Sequence, residues 1–227
     1  MAEINNAVLL IGSPKRFSSS SASLGQYFLE GLKKNNIETS KLHIHSVLKN
    51  LEKKKKMLLE IEKADLLILS FPLYVDTLPA KVIELLSMLA DNEKFVNSAK
   101  NKFIIAISNS GFPESSQNEI ALTVVKNFAD KIGVKWLGGI AVGMGASIAG
   151  RPLKELGSMF KDLTIGLELA AADTAKAEMI SKEAFDKLNK PLISQKWLYL
   201  LIGNVGWIID AFKNKVVTKL NNKPYMK

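Results

Sequence analysis

Cysteine is absent from the 227-residue sequence. Its absence excludes disulfide bridges, cysteine-ligated iron–sulfur clusters, thiolate zinc sites and cysteine nucleophiles. Histidine occurs only twice, which disfavours a histidine-rich metal site. Residues 1–6 carry no lysine or arginine, and the apolar run 7–11 is too short for the core of a signal peptide. We therefore expect a cytoplasmic protein.

Negative charge is scarce at one end of the chain. Residues 187–227 contain eight lysines and one aspartate, whereas residues 1–186 contain 23 basic and 21 acidic residues. The body is thus nearly neutral, and the C-terminal segment is basic. Because nucleic-acid binding usually requires a basic face on the folded body, this distribution disfavours it.

Short runs rich in Val, Ile and Leu alternate with segments of helical periodicity over the first two thirds of the chain. The predicted strands cover residues 7–11, 39–45, 65–71, 102–108 and 134–142. The predicted helices cover residues 21–35, 47–63, 79–89, 114–132, 152–171 and 175–188. We expect residues 1–172 to form one domain and residues 173–227 to form a helical, basic extension.

The predicted strands 1, 3 and 4 lack polar alternation, which is typical of strands buried on both faces of a parallel sheet. Five strands that alternate with helices predict right-handed crossovers and a doubly wound α/β sheet. Ligands of such sheets bind beyond the carboxyl ends of the strands. The loops after strands 1, 3, 4 and 5 are therefore the candidate site.

The loop after strand 1 reads Gly12-Ser13-Pro14-Lys15-Arg16-Phe17, followed by four serines at positions 18–21. It leads directly into a helix, whose N-terminal N–H groups and dipole attract a phosphate. Serine hydroxyls add donors, and Lys15 or Arg16 adds positive charge. Neither a dinucleotide motif nor a Walker A motif is present. The alternative interpretation is a serine-rich loop with an ordinary serine N-cap.

The loop after strand 3 is apolar and aromatic, with Leu73 and Tyr74 between two prolines. Such side chains need a cover, which either a stacked planar ring or burial in a dimer would supply. The loop after strand 4 contains Gly111, whose conformational freedom would let backbone N–H groups approach a ring. A plain Gly-Phe-Pro turn is the alternative there. The Gly-rich turn at residues 143–146 follows strand 5 and is placed to approach the same site.

These loops resemble those of the NADPH-dependent FMN reductase family, within the flavodoxin-like superfamily. The family's phosphate loop is matched by Gly12-Ser13-Pro14-Lys15 and the serines that follow, and its Pro-x-Tyr segment by Pro72-Leu73-Tyr74. Its glycine-containing loop is matched by Asn109-Ser110-Gly111-Phe112. The cysteine cluster of the iron–sulfur flavoproteins is missing, so that branch is excluded.

The resemblance implies a flavodoxin-like parallel sheet of five strands in the order 2-1-3-4-5. It also implies FMN as cofactor, NAD(P)H as co-substrate and a homodimer or tetramer. Electrons would pass through the flavin to a flavin, a quinone or another small acceptor, without a catalytic side chain. The implied cofactor-binding residues are Ser13, Pro14, Lys15, Ser19, Ser20, Ser21, Pro72, Leu73, Tyr74, Val75, Asp76, Asn109, Ser110, Gly111 and Phe112.

Two other functions stay open. One is a flavodoxin-like carrier that passes electrons to a protein partner, and the other is a membrane-associated, non-enzymatic flavin-binding module. The two histidines, His43 and His45, are predicted to share one face of strand 2 and to be structural or exposed rather than catalytic.

The C-terminal segment contains an apolar, aromatic stretch at residues 197–212, flanked by lysines at positions 190, 196, 213, 215 and 219. A bilayer-spanning helix needs roughly 20 apolar residues, so this stretch is too short to span. It packs on the body or in a dimer interface, lies on an anionic membrane surface, or binds another partner. On a membrane, Trp197, Tyr199 and Trp207 would lie at the level of the headgroups.

Overall fold

The computed structural model describes residues 3–193 and 196–222, except for the side chains of residues 17, 196, 198, 199 and 202. The chain divides into two compact units, Met1–Leu192 and Ile193–Lys227. The first unit contains an all-parallel sheet in the order 2-1-3-4-5, which confirms the predicted fold class. Its strands are β1 (Asn6–Ile11), β2 (Glu38–His43), β3 (Leu66–Pro72), β4 (Phe103–Asn109) and β5 (Lys135–Val142).

Helices cover both faces of this sheet. They are α1 (Ser20–Lys34), α2 (Ile44–Val47), α3 (Leu51–Lys63), α4 (Ala80–Ala90), α5 (Glu93–Ser98), α6 (Glu119–Ile132), α7 (Lys161–Ala175) and α8 (Lys182–Leu188). Leu9 and Ile11 of β1 belong to the core under α1, α7 and α8, whereas Val8 and Leu10 belong to the core under α2–α6. The two cores follow from the alternation of side chains along a strand.

The three central strands β1, β3 and β4 are almost fully buried. Their continuous apolar runs are what burial on both faces requires. The polar residues among them, such as Ser70, Ser108 and Asn109, lie toward the carboxyl ends. The fold therefore brings hydrogen-bonding groups to the edge of the sheet at which the candidate loops begin.

The two outer strands differ from the central ones. On β2, Glu38, Ser40 and Lys41 are exposed. Strand β5 shifts register by one residue opposite Ile104 and Ile105, at Gly138, whose φ is +148°. Beside this bulge, the N–H of Ile180 donates to the carbonyl of Leu137 at 3.0 Å.

Two predicted boundaries near β2 are wrong. The strand ends at His43, and His45 lies in α2, so the two histidines do not share a strand face. The predicted helix 47–63 is interrupted before Leu51, because the side chain of Asn50 accepts a hydrogen bond from the N–H of Lys53 at 3.0 Å. An asparagine N-cap begins a new helix at that point.

Three more predicted helices begin later than expected. A 3-10 turn, Ser115–Asn118, precedes α6. Two 3-10 turns, Leu153–Glu155 and Ser158–Phe160, precede α7. Gly157 lies between them with a φ of +71°, and this left-handed conformation interrupts the predicted helix. In the segment predicted as a helix at 175–188, α7 ends at Ala175, and α8 begins only after its N-cap Ser181.

The boundary between the two units differs from the predicted one. Residue 172 lies inside α7, and α8 packs closely against that helix. A Cβ placed on Gly166 of α7 would lie 2.7 Å from the Cγ of Leu188. This close packing retains α8 in the first unit, which ends at Leu192.

The second unit contains α9 (Lys196–Lys213) and a 3-10 turn, Val217–Lys219. The helix ends in a Schellman motif: the N–H of Val216 donates to Ala211 at 2.9 Å, and that of Lys215 to Phe212 at 3.0 Å. None of the helices in the described part of the chain has the length and hydropathy required to span a bilayer. The side chain of Tyr199, predicted to lie at headgroup level, is outside the described part.

Candidate functional site

A buried polar network joins three of the four candidate loops. The side-chain amide of Asn109 donates to the hydroxyl oxygen of Ser21 at 2.7 Å and to the carbonyl of Phe71 at 3.1 Å. The hydroxyl of Ser70 donates to the carbonyl of Ser21 at 2.7 Å. The ends of β3 and β4 are thus bonded to the first turn of α1. The structure brings the predicted residues Ser21 and Asn109 together at one edge of the sheet.

The loop after β1 passes very close to the neighbouring strand and helix. The N–H of Gly12 donates to the carbonyl of Ser70 at 2.8 Å. A Cβ at position 12 would overlap the Cγ2 of Val82 and would lie 2.9 Å from the Cβ of Phe71. Only glycine fits this approach of the backbone, and it aligns the loop with the start of α1.

Helix α1 begins at the end of this loop with a serine N-cap. The hydroxyl oxygen of Ser19 accepts a hydrogen bond from the N–H of Ala22 at 3.1 Å. The N–H groups of Ser20 and Ser21 precede the first intrahelical bond, and the first turn contains no acidic residue. These N–H groups and the helix dipole form an anion-binding end of α1.

Two cationic side chains lie in the same loop. Lys15 and Arg16 are exposed, and Arg16 has a φ of +54°. The N–H of Lys15 donates to the hydroxyl oxygen of Ser13, and the N–H of Arg16 to its carbonyl, both at 3.3 Å. Ser13 itself is buried and organises the turn, whereas Pro14 beside it is exposed.

Two of the predicted phosphate-binding hydroxyls donate to the chain itself. Ser19 Oγ donates to the carbonyl of Arg16 at 2.7 Å, and Ser20 Oγ to the carbonyl of Gly145 at 2.6 Å. Phosphate binding at this loop would therefore depend on backbone N–H groups and cationic side chains, unless these hydroxyls rotate away from their present acceptors.

The loop after β3 contains a strained reverse turn. Tyr74 and Thr77 exchange two backbone hydrogen bonds, of 2.9 and 3.1 Å. The two residues between them have left-handed backbones, with a φ of +48° at Val75 and +58° at Asp76. This pattern defines a type I′ turn, which normally carries asparagine or glycine. A β-branched residue at such a position stores strain.

The loops after β3 and β4 each expose an aromatic side chain. The N–H of Leu73 donates to the carbonyl of Asn109 at 2.8 Å, so the strand pairing continues into both loops. Leu73 is half-buried, Tyr74 is 44% exposed and Phe112 is 56% exposed. Of these residues, Leu73 and Tyr74 are the ones against which a planar ring is predicted to stack.

The loop after β4 is organised by a residue that the sequence interpretation missed. Asn118 is fully buried, and its amide accepts from Ser108 Oγ at 2.9 Å and donates to Ser110 Oγ at 3.2 Å. The backbone φ of Gly111 is not left-handed, and a Cβ there would meet no atom within 4 Å. The proposed conformational role of Gly111 is therefore wrong, because the turn does not require glycine.

The loop after β5 packs against the loops after β1 and β4. The N–H of Met144 donates to the carbonyl of Phe112 at 2.6 Å, and the N–H of Gly145 to that of Ser110 at 2.7 Å. The carbonyl of Gly145 accepts from Ser20, as described above. All four candidate loops thus form one hydrogen-bonded assembly at the carboxyl edge.

Both histidines of the protein lie beneath the loop after β1. His43 is buried at the end of β2, where its Nδ1 shares a hydrogen bond with Ser46 Oγ at 3.3 Å, and the two rings lie near the backbones of Ser13 and Gly12. The ring centroids are 6.0 Å apart. Sequence reasoning missed this role, because a histidine at the end of an edge strand carries no signal of its tertiary contacts.

The environment of the two rings favours neutral imidazoles. Burial lowers the pKa of both below the ordinary value of 6.5, against the opposing effect of the nearby backbone groups. Positive charge lowers the pKa further, through Arg16 near His43 and through Lys81 and Lys49 near His45. Above pH 6.5 the two histidines act as neutral supports of the loop.

Backbone strain is concentrated at this edge. Among the described residues other than glycine, a left-handed φ occurs at Arg16, Asn36, Val75, Asp76, Met144, Ala149, Ala177 and Lys215. Five of these eight lie in the loops after β1, β3 and β5. Such residues cluster where a structure is organised for function rather than for stability alone.

The donor set is suited to the phosphate and ring of FMN. The N-terminus of α1 supplies N–H groups without a nearby carboxylate in its first turn, and Lys15 supplies positive charge. Exposed aromatic surface lies on the neighbouring loops, at Tyr74 and Phe112. A phosphate end and an apolar end are thus present on one edge of the sheet.

Comparisons with known proteins agree with this architecture. A structure of an FMN-dependent NADH-azoreductase from Bacillus anthracis str. Ames Ancestor in complex with FMN is 16% identical, with a TM-score of 0.54, covering 75% of this chain and 100% of that one. The NAD(P)H:quinone oxidoreductase from Methanothermobacter marburgensis is 14% identical, with a TM-score of 0.51, covering 76% and 96%. A second azoreductase, from Bacillus anthracis str. Sterne, is 15% identical, with a TM-score of 0.51, covering 77% and 100%.

At these identities the solved structures show a shared fold. No significant match is found among curated proteins. The family model described as the flavodoxin-like fold matches residues 5–155, which include all five strands and the four candidate loops. This match covers more than half of the chain and confirms the resemblance, so the chain belongs to the flavodoxin-like fold family.

Proposed function

We propose that this protein binds FMN at the carboxyl edge of its sheet and acts as an NAD(P)H-dependent oxidoreductase. Its acceptor would be a flavin, a quinone or another small molecule. The observation that carries the proposal is the hydrogen-bonded assembly of the four loops, with an anion-binding helix end and exposed aromatic surface at the same edge. The solved azoreductase in complex with FMN, which shares the fold, supports it.

The phosphate would be held at the loop after β1. The N–H groups of Ser20 and Ser21 begin α1, and the exposed Lys15 and Arg16 can approach an anion from the solvent side. Gly12 and the histidines beneath it fix the path of the backbone, so the donors need little rearrangement on binding. Preorganisation of this kind reduces the entropy lost on binding.

The ring would lie on the loops after β3 and β4. Tyr74 and Phe112 offer apolar surface that a planar ring system would cover. The bonds of Asn109 to Ser21 and Phe71 hold these loops at a fixed spacing from the phosphate loop. FMN, when held there, would supply the hydride and electron-transfer chemistry between NAD(P)H and the acceptor. The chain's own residues orient the groups and exclude water.

The proposal is tested on purified full-length protein. We expect FMN to bind with a yellow visible spectrum, and NADH or NADPH to bleach it under anaerobic conditions. Subsequent addition of a quinone or free flavin should restore the colour. A bound flavin that neither nicotinamide nucleotide bleaches would refute the enzymatic part.

A charge-matched pair of variants tests the phosphate site. The double variant Lys15→Gln/Arg16→Gln should weaken FMN binding by roughly fivefold to tenfold, because two exposed cations near the anion are removed. The control Lys53→Gln/Lys55→Gln makes the same change of charge on exposed positions of α3 and should leave FMN affinity unchanged. Equal affinities in both would place the phosphate elsewhere.

The homodimer or tetramer implied by the resemblance stays a prediction. Light scattering of the purified protein at several concentrations measures it directly.

A further inference from the structure

Helix α9 carries a stripe of exposed apolar side chains. Trp197, Leu201, Val205, Ile208 and Phe212 follow one another at intervals of three or four residues, which places them on one face of the helix. Between 46% and 67% of each of these residues is exposed. A stripe of this size in water is costly unless it meets an apolar environment.

The side of α9 opposite this stripe contains small and polar residues, and the exposed apolar residues Leu200, Trp207 and Ile209 lie on its flanks. Gly203, Gly206, Asp210 and Lys213 recur at the same helical intervals, about half a turn away from the apolar stripe. A Cβ at either glycine would meet no atom within 4 Å. Asp210 and Lys213 make the far side polar in the C-terminal half of the helix, and the apolar surface extends beyond the stripe to Leu200, Trp207 and Ile209.

Positive charge is concentrated at the C-terminal end of this helix. Lys213, Lys215 and Lys219 are exposed within two turns of its C-terminal end. The single carboxylate of the segment, Asp210, lies 3.8 Å from the ammonium of Lys213 and is partly compensated by it. A surface that meets the apolar stripe must therefore also tolerate, or attract, several lysines.

An anionic membrane surface meets both requirements. Helices that lie in the headgroup region combine an apolar face containing tryptophan with flanking lysines, and their apolar face is buried only to the depth of the first acyl carbons. Each lysine near an anionic leaflet adds attraction that salt screens. Spanning is disfavoured for α9, in agreement with the absence of a span among the described residues.

We propose that α9 is a membrane-surface anchor, which lies flat on anionic lipid with Trp197, Leu201, Val205, Ile208 and Phe212 immersed and Lys213, Lys215 and Lys219 at the headgroups. The lysine-flanked stripe commits the surface to anionic lipid rather than to an uncharged protein groove. This proposal does not depend on the flavin chemistry of the first unit.

Flotation of the full-length protein with vesicles tests the anchor. We expect binding to vesicles of phosphatidylserine and phosphatidylcholine at low salt, weaker binding at high salt, and little binding to vesicles of phosphatidylcholine alone. The absence of flotation with anionic vesicles at low salt would overturn the proposal.

Two variants that add the same charge to opposite faces give the sharpest comparison. Leu201→Asp places a carboxylate in the apolar stripe and should weaken binding about tenfold or more. Gly203→Asp, two residues away, places it on the far side, where the structure has open space, and should leave most of the binding intact. Equal losses in the two variants would contradict a membrane-facing stripe.

A matched set tests the lysines. Replacing Lys213, Lys215 and Lys219 by glutamine should weaken binding to anionic vesicles roughly 100-fold, at about fivefold for each lysine. Glutamine at Lys53, Lys55 and Lys56, all exposed on α3, changes the net charge equally and should have little effect. Lipid-free self-association that Leu201→Asp abolishes would instead identify the stripe as an interface between copies and overturn the anchor.

Discussion

The side-chain amide of Asn109, the last residue of β4, donates to the hydroxyl oxygen of Ser21 in the first turn of α1 at 2.7 Å. The two residues are 88 positions apart in the sequence. Through this hydrogen bond, the loop proposed to bind the phosphate and the loops proposed to bind the ring become one structural unit. Each hydrogen bond at the carboxyl edge therefore bears on stability and on cofactor binding together.

We expect Asn109→Ala to lower the free energy of unfolding by about 1–3 kcal/mol, because Ser21 and the carbonyl of Phe71 lose a buried donor. FMN affinity should also fall, because this hydrogen bond no longer fixes the distance between the loops. Urea unfolding of the FMN-free protein and FMN titration measure the two effects. Asn127→Ala removes an exposed amide from α6 and serves as the control. Unchanged stability in Asn109→Ala would contradict the network.

Two glycines in the candidate loops should respond very differently to alanine. Gly12→Ala should destabilise the fold by about 1–3 kcal/mol, because the new Cβ overlaps Val82 and presses on Phe71. Gly111→Ala should change stability by less than about 0.5 kcal/mol, because the position is open and its φ is not left-handed. Thermal unfolding of the two variants compares them directly, and a larger loss at Gly111 would contradict the structure.

Relief of strain at the type I′ turn should stabilise the protein. Val75→Asn replaces a β-branched residue at a φ of +48° by one that tolerates the left-handed conformation, and 95% of Val75 is exposed, so little packing is lost. We expect the free energy of unfolding to rise by about 1 kcal/mol. Val124→Asn, at a half-exposed helical position in α6, should give no such gain. A loss of stability in Val75→Asn would argue against the turn geometry.

A buried lysine at the opposite edge of the sheet caps the C-terminal end of α3. The ammonium of Lys102 donates to the carbonyls of Glu62 and Ala64, both at 2.7 Å, and burial lowers its pKa. Lys102→Met should cost about 2 kcal/mol in unfolding free energy, because both carbonyls lose their donor. Lys100→Met, at an exposed position two residues earlier, is the matched control. Equal stability of the two variants would show that the cap contributes nothing.

Stability should fall as the solution becomes acidic. The pKa values of His43 and His45 are lowered in the folded state, so below the ordinary value of 6.5 the unfolded chain binds protons that the folded chain does not. The free energy of unfolding should therefore decrease as the pH falls through about 6.5. Replacing both histidines by asparagine should flatten this decrease, and an unchanged pH profile would contradict the assignment.

The sheet was predictable because its central strands are apolar throughout. Buried strands such as β3 leave no room for alternation, and the connections then fix parallel pairing. Helix ends were less predictable, because a single local event decides them. Asn50 interrupts the predicted helix 47–63 because it caps a new helix, and Gly157 interrupts the predicted helix 152–171 through its left-handed backbone. Both residues lie within segments whose apolar residues recur at helical spacing.

The position of the candidate loops followed from topology, but their internal contacts did not. The hydroxyl of Ser20 finds its acceptor 125 residues away, at Gly145. The buried Asn118 looks in the sequence like any surface asparagine at the start of a helix. Hydrogen bonds between distant loops leave no periodic pattern in the sequence. The sequence therefore predicts where the candidate site lies, but it does not predict the hydrogen bonds within it.

The outer strands determine how this sheet meets other molecules. The free edge of β2 presents the charged side chains of Glu38 and Lys41, and the bulged edge of β5 already receives the N–H of Ile180. Charge on one side and an occupied acceptor on the other both oppose the addition of a foreign strand. Growth of the sheet by an intermolecular β-ladder is therefore disfavoured at both of its outer strands.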